Sequence, residues 1–215
     1  SEVSKMPIST AVAVIDKIDM LVGFFGINEK PTSSKDPFAL RRTAIGLLRT
    51  ITENKLSIKL KDLINYSTSI YQDQNVKFSN DLVVKDVLFF LRERFKNFLK
   101  DKKIRNDIIE AANASHTDSD FLALYKKCLI VNKNISKDVC KNIIGTYKRV
   151  SNIIDQELQS KKEEFLGHPE SVLFSKDEEK HLFEKLNEIR KSLTVNEQDK
   201  DYEKLLLSLS EIKIF

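Results

Sequence analysis

Apolar residues recur along most of the chain at the spacing of amphipathic helices. The pattern predicts helices over residues 10–27, 37–53, 58–72, 82–100, 105–114, 120–131, 136–154, 176–191 and 201–212. The 215 residues include only 5 glycines and 4 prolines, whereas an all-β fold needs a turn about every 10 residues. The sequence therefore predicts an all-α fold, a helical bundle.

The first predicted helix, residues 10–27, carries apolar residues on most of its sides, which is typical of a buried helix. Asp16 and Asp19 interrupt this pattern and are neighbours on the helix surface. Because an unpaired buried carboxylate is costly, we expect a metal ion, a cation or a cap beside them. All three histidines lie beyond residue 115, so the ligand inventory favours no metal site, and we expect Asp16 to pair with Lys17 or with a neighbouring helix.

Residues 31–42 have the features of a helix start. Ser34 and Asp36 can accept hydrogen bonds from free backbone N–H groups, and Pro37 suits the first helical position. We therefore expect a helix to begin at about Pro37.

This helix carries one apolar stripe that must face a core, made of Leu40, Ala44, Leu47, Leu48 and Ile51. The stripe leaves Arg42 and Arg49, seven residues apart, on another face. The helix thus offers two fixed cations that could reach a phosphate.

The helix predicted at 82–100 ends in the most cationic stretch of the chain. Its cations are Arg92, Arg94, Lys96, Lys100, Lys102, Lys103 and Arg105. Cations near a helix C-terminus are favourable on dipole grounds alone, by about 0.3–1 kcal/mol. Only two acidic residues offset them, and the net charge of +5 over 14 residues slightly favours contact with a phosphate backbone.

The helix predicted from residue 136 has an expected buried stripe of Val139, Ile143, Tyr147, Val150 and Ile154. Lys148, Arg149 and Asn152 lie on its outward side. Lys148 and Asn152 share a face and could hold a phosphate and a base edge together. A solvated surface explains the same residues equally well.

Two strings of sequence carry a family resemblance. PTSSKDPFALRRTAIGLLR, preceded by AVAVIDKIDMLVGFFGI, resembles a segment of bacterial glycyl-tRNA synthetase beta subunits. TYKRVSNII resembles the K-R-x-x-N-I helix of the anticodon-binding domain in the same family. Ser33 stands where the family usually has glycine, which would strain the loop if that position needs a positive φ.

The resemblance implies two parts. Residues 1–55 would be the last helices of a degenerate HD-like domain, in which Asp16 matches a former metal-ligand position. Residues 56–215 would form a C-terminally incomplete helical anticodon-binding domain similar to that of arginyl-tRNA synthetase. The residues we expect to contact glycine tRNA are Lys148, Arg149, Asn152, Arg42, Arg49, Arg92, Lys96, Lys100 and Lys103.

The resemblance also implies the partners. In this family the alpha subunit catalyses the attachment of glycine to its tRNA, with ATP and Mg, and two alpha and two beta subunits form a heterotetramer. The residues agree with a non-catalytic role, since the chain has no G-x-x-x-x-G-K phosphate loop, no nucleophile with a paired base and no predicted sheet. We therefore expect no catalytic residue, metal or cofactor in this chain.

Charge and cysteine content add two expectations. The net charge is +4, but residues 1–154 carry +9 and residues 155–215 carry −5, which fits a polyanion partner for the first part. Cys128 and Cys140 are isolated and predict buried free thiols in a reducing cytosol. No signal peptide or long apolar segment is evident, so we expect a cytoplasmic protein.

Two alternative functions follow from the same residues. One is a fragment of an HD-type phosphohydrolase, which would need metal ligands. The other is a helical scaffold that binds a protein rather than RNA, which would bind its partner with little dependence on salt.

Overall fold

The computed structural model describes residues 3–74, 76, 79–114, 120–161, 169–198 and 200–214, and all regular structure within them is helical. The α-helices are α1 (Pro7–Gly26), α2 (Leu40–Glu53), α3 (Leu60–Asp73), α4 (Asn80–Asp101), α5 (Asn106–Ala114), α6 (Phe121–Asn134), α7 (Asp138–Lys161), α8 (Asp177–Gln198) and α9 (Tyr202–Ser210). Short 3₁₀ turns follow at Ser171–Leu173 and Glu211–Ile214. The all-α prediction is confirmed, while the anticodon-binding type of bundle stays a prediction.

The chain forms two compact units, Ser1–Leu129 and Ile130–Phe215. In the first unit, α1 packs against α2, α3 and α4, and α4 also contacts α2, α3 and α5. The family-based boundary after residue 55 falls inside this unit. That boundary rests on resemblance and stays a prediction.

The core of the first unit is built on the leucine-rich stripe of α2. Leu40, Ala44, Leu47, Leu48 and Ile51 are all buried, as predicted. Burying one leucine side chain contributes about 1.5–3 kcal/mol, so this stripe is a major source of stability. Aromatic rings join α4 to α6, because Phe95 meets Phe121 at 5.2 Å and Phe98 meets Tyr125 at 5.5 Å between ring centroids.

The second unit buries less of its apolar surface. Its helix α9 packs against α7 and α8, and the buried residues include Cys140, Ile189 and Tyr202. The predicted buried stripe of α7 is wrong in its second half, where Tyr147 is 72% and Val150 48% exposed. Ile154 is likewise exposed. The periodicity identified an apolar face correctly, but a described neighbour covers only part of it.

Helix α1 also differs from its prediction. Ile8, Val12 and Ile15 form an exposed stripe, because the described neighbours of α1 pack against its other side. Asp16 and Asp19 lie on the exposed side as well, so neither needs the buried partner that we expected. The Lys17 amine donates to the Ala13 carbonyl at 3.2 Å, not to Asp16.

The start of helix α2 differs from its prediction, whereas the predicted cap Asp36 is confirmed. Helix α2 begins at Leu40, not at Pro37, after Ala39 in a left-handed conformation with φ of 54°. Asp36 still caps it, because its carboxylate accepts from the N–H groups of Leu40 at 2.8 Å and Arg41 at 3.0 Å.

Residue type makes Ser57 a candidate cap for α3, and Thr117 or Asp118 a candidate cap for α6. The Ser57 hydroxyl instead donates to Asp120 at 3.0 Å. Asp120 caps α6 by accepting from the Ala123 N–H at 3.0 Å. Thr117 and Asp118 lie outside the described residues.

The sequence Ser175-Lys176-Asp177-Glu178 predicts a capping box at the start of α8. In the structure Glu179, not Glu178, accepts from the N–H groups of Ser175 at 2.8 Å and Lys176 at 3.2 Å. These bonds lower the pKa of Glu179 below its usual range.

The apolar pattern of α8 predicts a core side that includes Leu182, Leu186 and Ile189. Ile189 is buried, whereas Leu182 and Leu186 are exposed, so this side is only partly covered.

Among the described residues, four helices are followed two residues later by a residue in the left-handed conformation. These residues, after α1, α2, α4 and α8, are Asn28, Lys55, Lys103 and Lys200, with φ of 62°, 55°, 59° and 55°. After α2, the N–H of Lys55 donates to Thr52 at 3.3 Å and that of Leu56 to Ile51 at 2.9 Å, the bond pair of a Schellman motif. Ser33 does not have a positive φ, so the backbone strain that a non-glycine residue would suffer in that conformation does not arise there.

We expect Asp36→Ala to lower the free energy of unfolding by about 1–2 kcal/mol, because the free N–H groups of Leu40 and Arg41 lose their acceptor. Urea denaturation followed by circular dichroism measures the change. Asp73→Ala, which removes an exposed carboxylate at the last residue of α3, should leave stability unchanged or slightly higher. Equal stability of Asp36→Ala and the unchanged chain would contradict the capping role.

We expect Lys55→Gly to raise the free energy of unfolding by about 0.5–1 kcal/mol, since glycine adopts a positive φ without a Cβ penalty. Lys85→Gly, at an exposed position inside α4, should have the opposite sign by about the same amount. Both changes remove a lysine, so charge loss is matched. A destabilised Lys55→Gly chain would show that this turn is not strained.

Candidate nucleic-acid interface

The segment 31–42 consists of a loop and the first turn of α2, and several of its side chains hold the loop in place. Asp36 caps α2, and the Arg41 guanidinium donates to the Thr32 carbonyl. Phe38 stacks on Phe24 of α1, with ring centroids 4.1 Å apart. These parts of the distinctive sequence are therefore structural, and Arg41, which precedes the predicted site residue Arg42, helps to hold the loop.

The two predicted arginines of α2 differ in their surroundings. Arg42 is exposed. Arg49 is partly buried, and its Nε donates to Glu53 Oε1 at 3.1 Å. Both lie on the face of α2 that also carries Gly46, so the structure brings them together as predicted.

A groove of about 190 Å³, lined in part by Arg49, lies between α1 and α2. Its lining includes Lys17 from α1, and Gly46 and Arg49 from α2. The sequence did not identify Lys17 as a residue that shares a groove with Arg49. Gly46 could have indicated this groove, because a glycine inside a helix often marks the close approach of a second chain segment.

The cationic end of α4 is partly neutralised by its own neighbours. Lys96 pairs with Glu93 at 3.0 Å, and Arg105 pairs with Asp107 at 2.8 Å. The Arg105 hydrogen bond lowers the pKa of Asp107. These pairs reduce the positive charge that sequence analysis assigned to this stretch.

Aromatic rings engage two further cations of this end. Arg94 lies over the Phe90 ring at 5.2 Å and Lys102 over the Phe98 ring at 5.5 Å. Arg92 is partly buried and, with Lys96, borders a cavity of about 10 Å³ against α5. Lys100 and Lys103 are exposed and are the best placed of the predicted cations here to meet a polyanion.

The three residues of α7 that we expect to contact RNA are all exposed. Lys148, Arg149 and Asn152 are exposed, and Lys148 and Asn152 share a face because they are four residues apart. Tyr147, which we expected to be buried, is also exposed, but on a different side of α7, because residues one or two positions apart on a helix do not share a face. Cations and an amide therefore lie on one side of this helix and an aromatic ring on another.

The described residues contain no group of three or more His, Cys, Asp or Glu side chains placed to hold a metal ion. The two thiols are buried and unpaired. Burial raises the pKa of Cys128 to about 11, and burial also raises the pKa of Cys140. Within the described ranges, every helix is too short or too polar to cross a membrane.

The comparison with known proteins gives one consistent result. The family model described as glycyl-tRNA synthetase beta subunit matches residues 1–114. The glycine–tRNA ligase beta subunit of Rickettsia canadensis (strain McKiel) is 37% identical over 205 residues, which cover 94% of this chain and 28% of the relative.

Two further relatives carry the same name. The protein of Ruegeria sp. (strain TM1040) is 33% identical over 200 residues and 92% of this chain, and that of Rickettsia prowazekii (strain Madrid E) is 36% identical over 205 residues and 95% of this chain. The chain spans about 28% of the length of these relatives. The matching family model and the agreement of the relatives show that this chain belongs to the glycyl-tRNA synthetase beta subunit family.

Proposed function

We propose that this chain is a tRNA-binding part of a glycyl-tRNA synthetase beta subunit and recognises the anticodon region of glycine tRNA. Its role would be to position tRNA while an alpha subunit joins glycine to it with ATP and Mg. The observation that carries the proposal is the exposed basic surface of α7, Lys148 to Asn152, in a chain of this family.

The α7 surface has the chemistry that single-stranded RNA loops require. Lys148 and Arg149 can neutralise phosphates, and Asn152 can donate to and accept from a base edge. Tyr147 offers a ring on which an unstacked base can lie. Base stacking on aromatic residues is worth about 1–3 kcal/mol per base, so Tyr147 would add affinity without strong sequence preference.

The cationic C-terminal end of α4 would add affinity for RNA in general rather than selectivity for one tRNA. Lys100 and Lys103 are exposed, and each phosphate that a lysine neutralises releases counterions. Arg42 of α2 would contribute in the same way, and so would Arg49, which keeps the terminal N–H groups of its guanidinium beside its Nε bond to Glu53. Lys96 is a weaker candidate because its amine pairs with Glu93, and Arg92 is a weaker candidate because it is partly buried.

The proposed domains and subunit partners follow from the family resemblance. Residues 1–55 would be the end of an HD-like domain, and residues 56–215 an anticodon-binding domain. The beta subunit would join the alpha subunit in a heterotetramer of two alpha and two beta chains. Asp16, exposed on α1, would be a remnant of a metal ligand without a catalytic role.

We expect Lys148→Ala and Asn152→Ala each to weaken binding of the glycine tRNA anticodon stem-loop by about tenfold, since each removes one phosphate or base contact. Fluorescence titration measures the affinity, and circular dichroism checks the fold. Lys141→Ala, at an exposed position near the start of α7, is the matched control and should bind normally. Unchanged affinity of the Lys148/Asn152 double variant would remove these residues from the site.

We expect the double variant Lys100→Glu and Lys103→Glu to bind all RNAs more weakly, cognate and non-cognate alike. The slope of log affinity against log salt should fall by about two, because two phosphate contacts are lost. The double variant Lys59→Glu and Lys61→Glu changes charge equally at two exposed positions at the N-terminal end of α3 and is the control.

Three results of that titration would count against the proposal. A loss confined to one tRNA would contradict a backbone role for Lys100 and Lys103. A flat salt response of the unchanged chain would favour the protein scaffold instead. Equal loss in the control would show a general charge effect.

A further inference from the structure

The groove between α1 and α2 depends on a glycine in the middle of a helix. A Cβ added to Gly46 would lie 3.2 Å from Cε of Lys17, closer than most side-chain contacts allow. The missing side chain therefore lets the Lys17 stem cross α2 at this point. Glycine weakens a helix interior relative to alanine, so its presence here has a local reason in the position of Lys17.

Among the described residues that line the groove, the charged ones are Lys17 and Arg49, and both are cations. The Lys17 ammonium uses one N–H for the Ala13 carbonyl and has two more. Arg49 uses Nε for Glu53, which leaves the terminal N–H groups of its guanidinium to donate elsewhere. The two side chains together can supply several charge-assisted hydrogen bonds to one acceptor.

The uncharged lining of the groove combines the apolar residues Val3 and Ala13 with threonines whose hydroxyl groups already have acceptors. Thr10 donates its hydroxyl to the Ser4 carbonyl at 3.1 Å, and Thr50 donates to the Gly46 carbonyl at 2.8 Å. Both threonines are buried, so the walls are fixed. A ligand here would be selected by its negative charge, and the volume of about 190 Å³ exceeds the space of a single water.

We propose that this groove binds an oxyanion and, building on the proposed function, that a phosphodiester group of RNA is the ligand. Arg42 favours a polyanion over an isolated ion. It lies one turn before Gly46 and two turns before Arg49 on the same face of α2, and it is exposed. Successive phosphates of one strand could meet Arg42 and the groove in turn.

Inorganic phosphate tests the groove without RNA. Nuclear magnetic resonance of the chain should show a saturable shift of the Gly46 amide, and Lys17→Met should abolish it, because methionine keeps an unbranched side chain and loses the charge. Lys61→Met, at an exposed position of α3, should keep the shift. The absence of any saturable shift in the unchanged chain would overturn the site.

Glycine tRNA tests the ligand. Lys17→Met and Gly46→Ala should each weaken binding by about fivefold to tenfold and lower the salt slope by about one. Alanine favours a helix more than glycine, so the thermal midpoint of Gly46→Ala should stay equal or rise, which separates a lost site from a lost fold.

The outcomes distinguish the two proposals. If tRNA binds the unchanged chain and both variants equally well, the groove is not an RNA site and the proposed function stands. If tRNA fails to bind the unchanged chain at low salt, the proposed function fails and the RNA assignment of the groove fails with it. A phosphate shift at Gly46 would still establish the oxyanion site in that case.

Discussion

The burial of one apolar face of α2 is the constraint on which the first unit depends. Leu40, Leu47, Leu48 and Ile51 are almost completely removed from water where α2 meets α1 and α4. That contact fixes the rotation of α2 about its axis. Its opposite edge must then carry Arg42 and Arg49 outward, and Gly46 must face Lys17. The positions of the cations are thus a consequence of leucine packing.

The same constraint explains which structural predictions succeed. The α2 stripe is predicted correctly because its pattern repeats for several turns and its partner helices lie in the same compact unit. The apolar pattern of α1, which covers most of its sides, and the stripe of α7 are equally clear in the sequence, yet Val12 and Tyr147 are exposed. Periodicity shows which face could be buried, whereas burial also needs a neighbour that periodicity does not identify.

Helix ends are predicted less well than helices because several polar residues compete for each cap. Asp36 was identified as a cap, but the helix it caps starts three residues later, after the left-handed Ala39. Ser57 was expected to cap α3 and instead meets Asp120, which lies 63 residues along the chain. A contact over such a separation depends on the whole fold and leaves no local signal.

The residues of the candidate site also differ in how well the sequence predicts them. The exposed cations Lys100, Lys103 and Lys148 could be named from the sequence, since outward faces follow from the apolar pattern. The partial neutralisation of Arg49 and Lys96 by Glu53 and Glu93 required the side-chain geometry. Lys17 was not predicted as a residue of the groove, because its position there depends on the approach of α1 to α2.

Burial of Cys128 in α6 has a chemical consequence for the whole first unit. A thiol with a pKa of about 11 is almost entirely protonated at neutral pH, and the thiolate is the form that reacts with alkylating reagents. The folded pKa lies above the ordinary value of 9.0, so the neutral thiol favours the native state below about pH 9, and this contribution fades as the pH rises towards 11. Modification of Cys128 at neutral pH would therefore require a local opening that exposes the sulfur, which makes this thiol a native reporter of such opening.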